Sequence, residues 1–310
     1  MPDDSGLGDA APATRSPLIS VEALSARLAD RDARRGDDDG LVVVDVRWYL
    51  GRPGDGRKAY LAGHVPGAIH LDLDEDLADP DGFGAPGRHP LASPDAFAAR
   101  MAEAGIGDHT LVVAYDDAGG WIASRLWWML DNLGHDGAGR GGVAVLDGGW
   151  QAWTDAGLPV STDIPVRTPA DLHLADRWTN VIARDELRDR LGSLVLLDAR
   201  AANRYRGETE PIDPVAGHIP TAISAPWDGD VGSDGRLLPP DELRDRLLSL
   251  GLGGDRDVVT SCGSGTSATL HVLAARLAGL PVPALYVGSY SDWSRSGYPV
   301  ATGPEPGSPP

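Results

Sequence analysis

The chain has 310 residues, of which 42% are hydrophobic and 24% charged; this is apolar material enough for sizeable cores, and it excludes wholesale disorder. Its 27 Lys and Arg against 46 Asp and Glu give a formal charge of -19, a field that repels phosphate backbones and anionic bilayers. Nucleic acid and membrane are therefore excluded as partners, and any anionic substrate needs a local cationic site.

In chain order, residues 1–16 are acidic and rich in Pro, Ala and Gly, with no basic or apolar leader, and no uncharged apolar run reaches the ~18 residues of a membrane span. A cytoplasmic protein with a disordered N-terminal tail is the expectation. Val21 to Ala29 has helical periodicity, and Leu41 to Val46 is a short apolar run ended by Asp45-Val46-Arg47, read as a buried strand. Gly63-His64-Val65-Pro66-Gly67-Ala68-Ile69 follows. Ser93-Pro94-Asp95 opens a helical pattern closed by Gly105, and a strand at Leu111 to Tyr115 precedes Leu146-Asp147-Gly148-Gly149-Trp150. After a Pro-containing linker, 161–178, the same blocks return in the same order. Leu194 to Arg200 matches the first strand, Gly217-His218-Ile219-Pro220 the histidine turn, Pro239-Pro240-Asp241 with Gly251 the helix, Asp257 to Ser261 the next strand, and Tyr286 to Trp293 the last block. A period of about half the chain is too long for a solenoid and indicates a duplicated domain. Short strands alternating with amphipathic helices predict an α/β fold: two domains, 17–160 and 179–301, each a mainly parallel sheet with helices on both faces. Residues 302–310 are expected to be a second disordered tail.

The strand Val258 to Ser261 runs into Cys262-Gly263-Ser264-Gly265-Thr266-Ser267-Ala268, and a helical pattern begins at Thr269. A glycine-containing turn at the carboxyl end of a strand, leading into a helix start, turns main-chain N–H groups inward and stabilises an anion at its centre. A thiolate there is a nucleophile. Cys262 is the chain's one cysteine, so neither an intramolecular disulfide nor a cysteine-based metal cluster is available to it. In the first half the corresponding position is Asp116, which has no thiol chemistry, so one half works and the other supports.

These residues, with Trp127-Trp128, Arg204-Tyr205-Arg206-Gly207 and Gly288-Ser289-Tyr290-Ser291-Asp292-Trp293, resemble the tandem-domain rhodaneses, the thiosulfate and 3-mercaptopyruvate sulfurtransferases, from about Ile19 to Val300. The resemblance implies two rhodanese-like domains, the first inactive and the second catalytic, with the active site between them. It implies transfer of a sulfane sulfur from a small anionic donor through a Cys262 persulfide to a thiol acceptor such as thioredoxin or glutathione, or to cyanide, with no metal or organic cofactor. The Cys-Gly-Ser-Gly loop resembles the mercaptopyruvate form, since thiosulfate-preferring relatives carry two basic residues where this chain has Gly263 and Ser264. Thiosulfate as main donor, and a persulfide carrier that stops after one equivalent, remain the alternatives. Main-chain and side-chain groups of Gly263, Gly265, Thr266 and Ser267 would line the donor site, and Arg204 aligns with the family's carboxylate-binding arginine. A second arginine common in the mercaptopyruvate branch is absent, the region reading Glu210-Pro211-Ile212-Asp213. The branch's serine–histidine–aspartate relay maps onto Ser264, His64 and Asp55, with one alternative open: His64 and its repeat His218 both brace a turn. Trp48 and Trp293 are candidate cleft walls without chemistry. A phosphatase would need an arginine where Ala268 stands. Monomer is the default for a two-domain chain that buries its own interface.

Overall fold

The computed structural model describes residues 16–34, 40–79, 87–135 and 142–310; the expected N-terminal tail lies outside the described residues, apart from Ser16. In the first half the elements are β1 (Leu18–Ile19), α1 (Val21–Arg34), β2 (Leu41–Asp45), α2 (Asp55–Ala62), β3 (Ile69–His70), α3 (Pro94–Glu103), β4 (Leu111–Tyr115), α4 (Ala123–Asn132), β5 (Val143–Leu146) and α5 (Gly149–Asp155). The strands pair in the order β1-β5-β4-β2-β3, every pair parallel. β2 and β4 are buried along their whole length, as strands covered on both faces must be. Their alternate side chains divide accordingly. Val43 and Val113 pack with Val21, Leu24, Leu28 and Trp153 of α1 and α5, whereas Val42, Val44, Val112 and Ala114 pack with Phe97, Met101 and the apolar residues of α3 and α4.

The second half contains α6 (Arg184–Arg190), β6 (Val195–Asp198), α7 (Ala202–Tyr205), β7 (Ala222–Ser224), a 3-10 turn at Trp227–Asp230, α8 (Pro240–Ser249), β8 (Val258–Ser261), α9 (Ala268–Leu277), β9 (Ala284–Leu285) and α10 (Ser289–Trp293). Its parallel sheet has the order β7-β6-β8-β9, and Val181 makes a parallel bridge to Leu285 where β1 stands in the first half. The duplication reaches single hydrogen bonds. Arg47 forks onto Asp45 and donates to Gly63 O at 2.7 Å, and Arg200 forks onto Asp198 and donates to Gly217 O at 2.7 Å.

The halves meet helix to helix. α4 and α9 are buried on nearly all sides, because each packs its own sheet on one side and the other helix on the opposite one; Leu126, Trp127 and Leu130 share one cluster with Cys262, Ala268, Leu270 and Leu273. The linker lies along the first domain, with Trp178 stacked on Trp128 at 5.6 Å and donating to Ala92 O at 2.9 Å. The C-terminal residues 302–310 are ordered rather than the disordered tail that composition suggests. They run beside the histidine turn of the second domain, where Glu305 O meets His218 Nε2 at 3.1 Å and Thr221 N–H donates to Pro306 O at 2.6 Å. The linker serves the first domain in the same way, Asp163 O meeting His64 Nε2 at 3.0 Å. A Pro-rich segment thus gains order from backbone groups that a buried turn requires. Among the described residues no helix is long and apolar enough to cross a membrane.

Candidate active site

β8 delivers Cys262 to the carboxyl end of the second sheet, 2% exposed. The loop that follows is held from outside by its carbonyls. Tyr290 N–H donates to Cys262 O at 3.0 Å and Ser291 N–H to Gly263 O at 2.8 Å, while the Cys262 N–H donates to Ser289 Oγ at 3.0 Å. With the carbonyls engaged outward, the chain turns the other way, and Gly265 N–H donates to Cys262 Sγ at 3.1 Å. Gly265 has φ +77, and a Cβ there would lie 2.3 Å from Val287 O, so only glycine fits. Gly265→Ala is therefore expected to cost about 1–3 kcal/mol of stability through backbone strain and to slow sulfur loading of Cys262, as read by chemical denaturation and by mass spectrometry of the loaded thiol. Ser267 precedes α9 without capping it through its side chain, and the Thr266 carbonyl accepts from Thr269.

The corresponding loop of the first domain shows what this geometry favours. Asp116 is fully buried, and its carboxylate accepts from the N–H groups of Ala118, Gly120, Ile122 and Ala123 at 2.8–2.9 Å. Burial pushes this carboxyl upward, against four amides that favour its ionised form. The first domain fills its anion cradle with its own side chain; the second places a thiol there.

Ser264 meets a histidine from the first domain, and it is His89 rather than His64. Ser264 Oγ lies 2.7 Å from His89 Nδ1, His89 Nε2 lies 2.9 Å from Asp74 Oδ1, and Trp48 Nε1 donates to Asp74 Oδ2 at 2.7 Å. The sequence mapping of the relay onto His64 and Asp55 is corrected accordingly. His64 is engaged by two main-chain carbonyls, Tyr60 O at 2.8 Å and Asp163 O at 3.0 Å, and stacks on Tyr60 at 4.0 Å. His218 repeats this arrangement on Tyr205, so both histidines brace turns. Asp55 opens α2 and pairs with Lys58 at 2.7 Å, away from Ser264. Burial pushes the His89 imidazole below its ordinary value, against the upward pull of Asp74, so at neutral pH Nε2–H donates to Asp74 and Nδ1 is free to accept the Ser264 hydroxyl proton. The Asp74 carboxyl is in turn held low, chiefly by its bond to His89.

Arg125, from α4 of the first domain, was also missed in the sequence. Completely buried, it donates to Gly265 O at 3.1 Å and to His89 O at 3.0 Å, tying the cysteine loop to the histidine segment. Burial lowers its guanidinium to about 10, with the Cys262 sulfur pulling the other way; it remains a cation at neutral pH.

Arg204 lies in α7 and pairs with Glu210 at 2.7 Å and Asp213 at 3.3 Å. Its Nη1 lies 3.5 Å from where a Cβ on Gly263 would stand, so the guanidinium reaches the cysteine loop. Arg206 faces outward and pairs with Glu208 at 2.7 Å. Trp48 stands edge-on to His89 at 5.5 Å and so walls the site, whereas Trp293 is core, fully buried with Nε1 donating to Pro299 O.

The rhodanese-like domain model matches residues 24–156 and again 183–296. The chain is 42% identical over 290 residues to the Pseudomonas aeruginosa protein named "Probable 3-mercaptopyruvate sulfurtransferase", covering 92% of this chain and 98% of that one. It is 33% identical to the thiosulfate sulfurtransferase of Bos taurus, covering 82% of this chain and 85% of the relative. Among solved structures, the 3-mercaptopyruvate sulfurtransferase from Leishmania major superposes with a TM-score of 0.74 at 27% identity, over 89% of this chain and 74% of that one. With one such domain in each half and a cysteine in the anion cradle of the second, the chain belongs to the rhodanese family and is a sulfurtransferase.

Proposed function

We propose that the protein moves sulfur from 3-mercaptopyruvate through a persulfide on Cys262 to a small thiol or a thioredoxin-like acceptor. The carrying observation is the chain Cys262 loop–Ser264–His89–Asp74, in which a nucleophile and a proton relay face the same point from two domains. The Cys262 thiolate attacks the donor sulfur, the carbon–sulfur bond breaks, and its electron pair leaves as the enolate of pyruvate. The donor's thiol proton passes through Ser264 and His89 to the enolate carbon, so pyruvate departs and the outer sulfur stays on Cys262 as a persulfide anion. An acceptor thiol then takes that sulfur and restores the thiolate. Ser264 next to the cysteine, in place of a cation, suits a donor whose leaving group needs a proton; thiosulfate releases sulfite and needs none.

The test has two readings. Mass spectrometry after donor exposure should show a gain of about 32 Da, one sulfur atom, on Cys262. The ratio of kcat/KM for 3-mercaptopyruvate and thiosulfate, with a simple thiol as acceptor, reports transition-state discrimination between the donors. A ratio favouring thiosulfate overturns the donor assignment, an unmodified peptide overturns the nucleophile, and pyruvate release that stops after one equivalent turns the enzyme into a carrier.

A further inference from the structure

The relay nitrogen of His89 faces two hydroxyl groups. Ser264 Oγ lies 2.7 Å from Nδ1, and Thr266 Oγ1 lies 3.3 Å from the same atom. The two residues flank Gly265, whose left-handed backbone against Val287 O leaves no room for a side chain. The turn that brings the Gly265 N–H to Cys262 Sγ therefore also brings both hydroxyls to one imidazole. The first domain has no such pair: the segment from Asp117 to Ile122, between the buried Asp116 and the helix start at Ala123, contains neither serine nor threonine.

Thr266 is 1% exposed, and among the described residues His89 Nδ1 is the one hydrogen-bond partner of its hydroxyl. A neutral imidazole offers a single lone pair at Nδ1. Ser264 makes the shorter bond to it, and Thr266 stands as a second donor to the same lone pair. The placement is rigid. Thr266 O accepts from the N–H and the hydroxyl of Thr269 at 3.1 and 2.6 Å, and Thr269 Oγ1 lies 2.8 Å from Ser124 Oγ on α4 of the first domain. The next residue of α4, Arg125, donates to both Gly265 O and His89 O, so one guanidinium fixes the loop and the imidazole relative to each other. A valine would fill the Thr266 site with no polar group to satisfy, whereas the buried hydroxyl is compensated only through Nδ1.

We propose that Thr266 is a positioning residue of the proton relay, its hydroxyl holding His89 Nδ1 toward the cysteine loop and taking over the hydrogen bond when Ser264 turns to the donor. The proposal rests on the mercaptopyruvate reading of the site and adds to it a second hydroxyl. Thr266 keeps its own proton throughout. As Ser264 takes the donor's thiol proton and passes its own to Nδ1, the Thr266 hydroxyl loses its acceptor; when the enolate carbon takes the proton back through Ser264, the bond returns. The hydroxyl thus favours neutral His89 and return of the proton to carbon. The charges around the ring are Asp74 at Nε2, which favours the imidazolium, and Arg125 and Arg88, which oppose it. With Nδ1 its only acceptor, the Thr266 hydroxyl acts in the same direction as the two arginines.

The test compares wild type, Thr266→Val and Thr266→Ser as full-length proteins, with sulfur loading of Cys262 from 3-mercaptopyruvate followed across pH by rapid-quench mass spectrometry. Thr266→Val keeps the shape and removes the hydroxyl; it is expected to lower the plateau rate about 3- to 10-fold and to move the acid limb up by about half a unit to one unit, the worth of one hydrogen bond to the neutral ring. Thr266→Ser, which keeps the hydroxyl, should leave the limb at the wild-type position. Discharge of the preloaded persulfide to 2-mercaptoethanol should stay within about twofold of wild type, since no carbon is protonated in that step. The pH dependence of Cys262 alkylation by iodoacetamide should be unchanged. A limb that stays in place in Thr266→Val, one that moves equally in Thr266→Ser, or equal losses in loading and discharge overturns the role of Thr266. So does an alkylation profile that moves with the limb, which would place the hydroxyl's effect on the thiol. Should the valine variant not fold, Thr266→Ala takes its place in the same comparison. Wild-type protein that gains no sulfur from 3-mercaptopyruvate overturns the donor assignment instead, and an NMR titration of the His89 ring in wild type and Thr266→Val, which uses no donor, then decides whether the hydroxyl favours the neutral ring.

Discussion

Replacing Cys262 with serine is expected to abolish sulfur transfer, with kcat falling by at least about 10³-fold and no mass gain at position 262 after donor exposure. The loop is built for an anion at its centre, with the Gly265 N–H on Sγ at 3.1 Å and the buried Arg125 cation behind the Gly265 carbonyl. A serine hydroxyl would sit in the same cradle, accept the same N–H and leave the fold intact, yet it stays protonated at neutral pH and forms no sulfur–sulfur bond. Loss of activity with an unchanged unfolding transition therefore isolates the chemistry from the packing. Asp116 makes the same point from within the molecule: an identical position in the first domain, with four amides on its carboxylate, carries out no sulfur chemistry because the cradle supplies only the field. Turnover by Cys262→Ser above about 1% of wild type would mean that the nucleophile lies elsewhere.

Much of this architecture is legible in the sequence because the duplication prints each structural device twice. The Asp-x-Arg strand ends, the Gly-His-x-Pro turns and the proline-led helices all recur, and each proves to be a solution to a local problem. Arg47 and Arg200 neutralise a buried aspartate, and His64 and His218 brace carbonyl-lined turns. That same repetition explains the misplaced relay. A histidine present in both copies, one of them in a domain with no relay to build, is a structural residue. The histidine that meets Ser264 is one without a counterpart: His89 stands four residues before Ser93, and the position four before Pro239 holds Gly235. Arg125 follows the same rule, since α4 and α9 align through Ala123 and Ala268 and the place of Arg125 is taken by Leu270. Residues unique to the first copy are the signal that could have found this half of the site. Their distance to Cys262 was not legible, because it depends on α4 packing against α9 and on Gly87 seating against Gly288, contacts between segments about 145 and about 200 residues apart. The C-terminal segment was misread for a related reason. Its composition describes a chain with nothing to bury, whereas its order comes from the carbonyl it lends to His218.

His89→Ala is expected to slow sulfur loading from 3-mercaptopyruvate by about 10²- to 10⁴-fold, the usual range for a positioned acid–base group, while discharge of the persulfide to a thiol changes far less, because that step leaves no carbanion to protonate. The pH dependence carries the sharper test. The relay needs His89 neutral at Nδ1, and burial holds the imidazole below the ordinary histidine value of 6.5, so the acid limb of loading should fall below pH 6.5. The Asp74 carboxylate pulls in the opposite direction, favouring the imidazolium. Asp74→Asn removes that pull, which lowers the His89 value further and moves the acid limb to still lower pH. It also weakens the bond that orients Nδ1 toward Ser264, so the plateau rate should drop as the limb recedes. A merely structural aspartate would lower the rate without moving the limb, and a limb that stays in place in Asp74→Asn would exclude His89 as the titrating group. His64→Ala provides the contrast. It should lower the unfolding temperature by withdrawing the partner of two main-chain carbonyls, and leave the acid limb where His89 puts it.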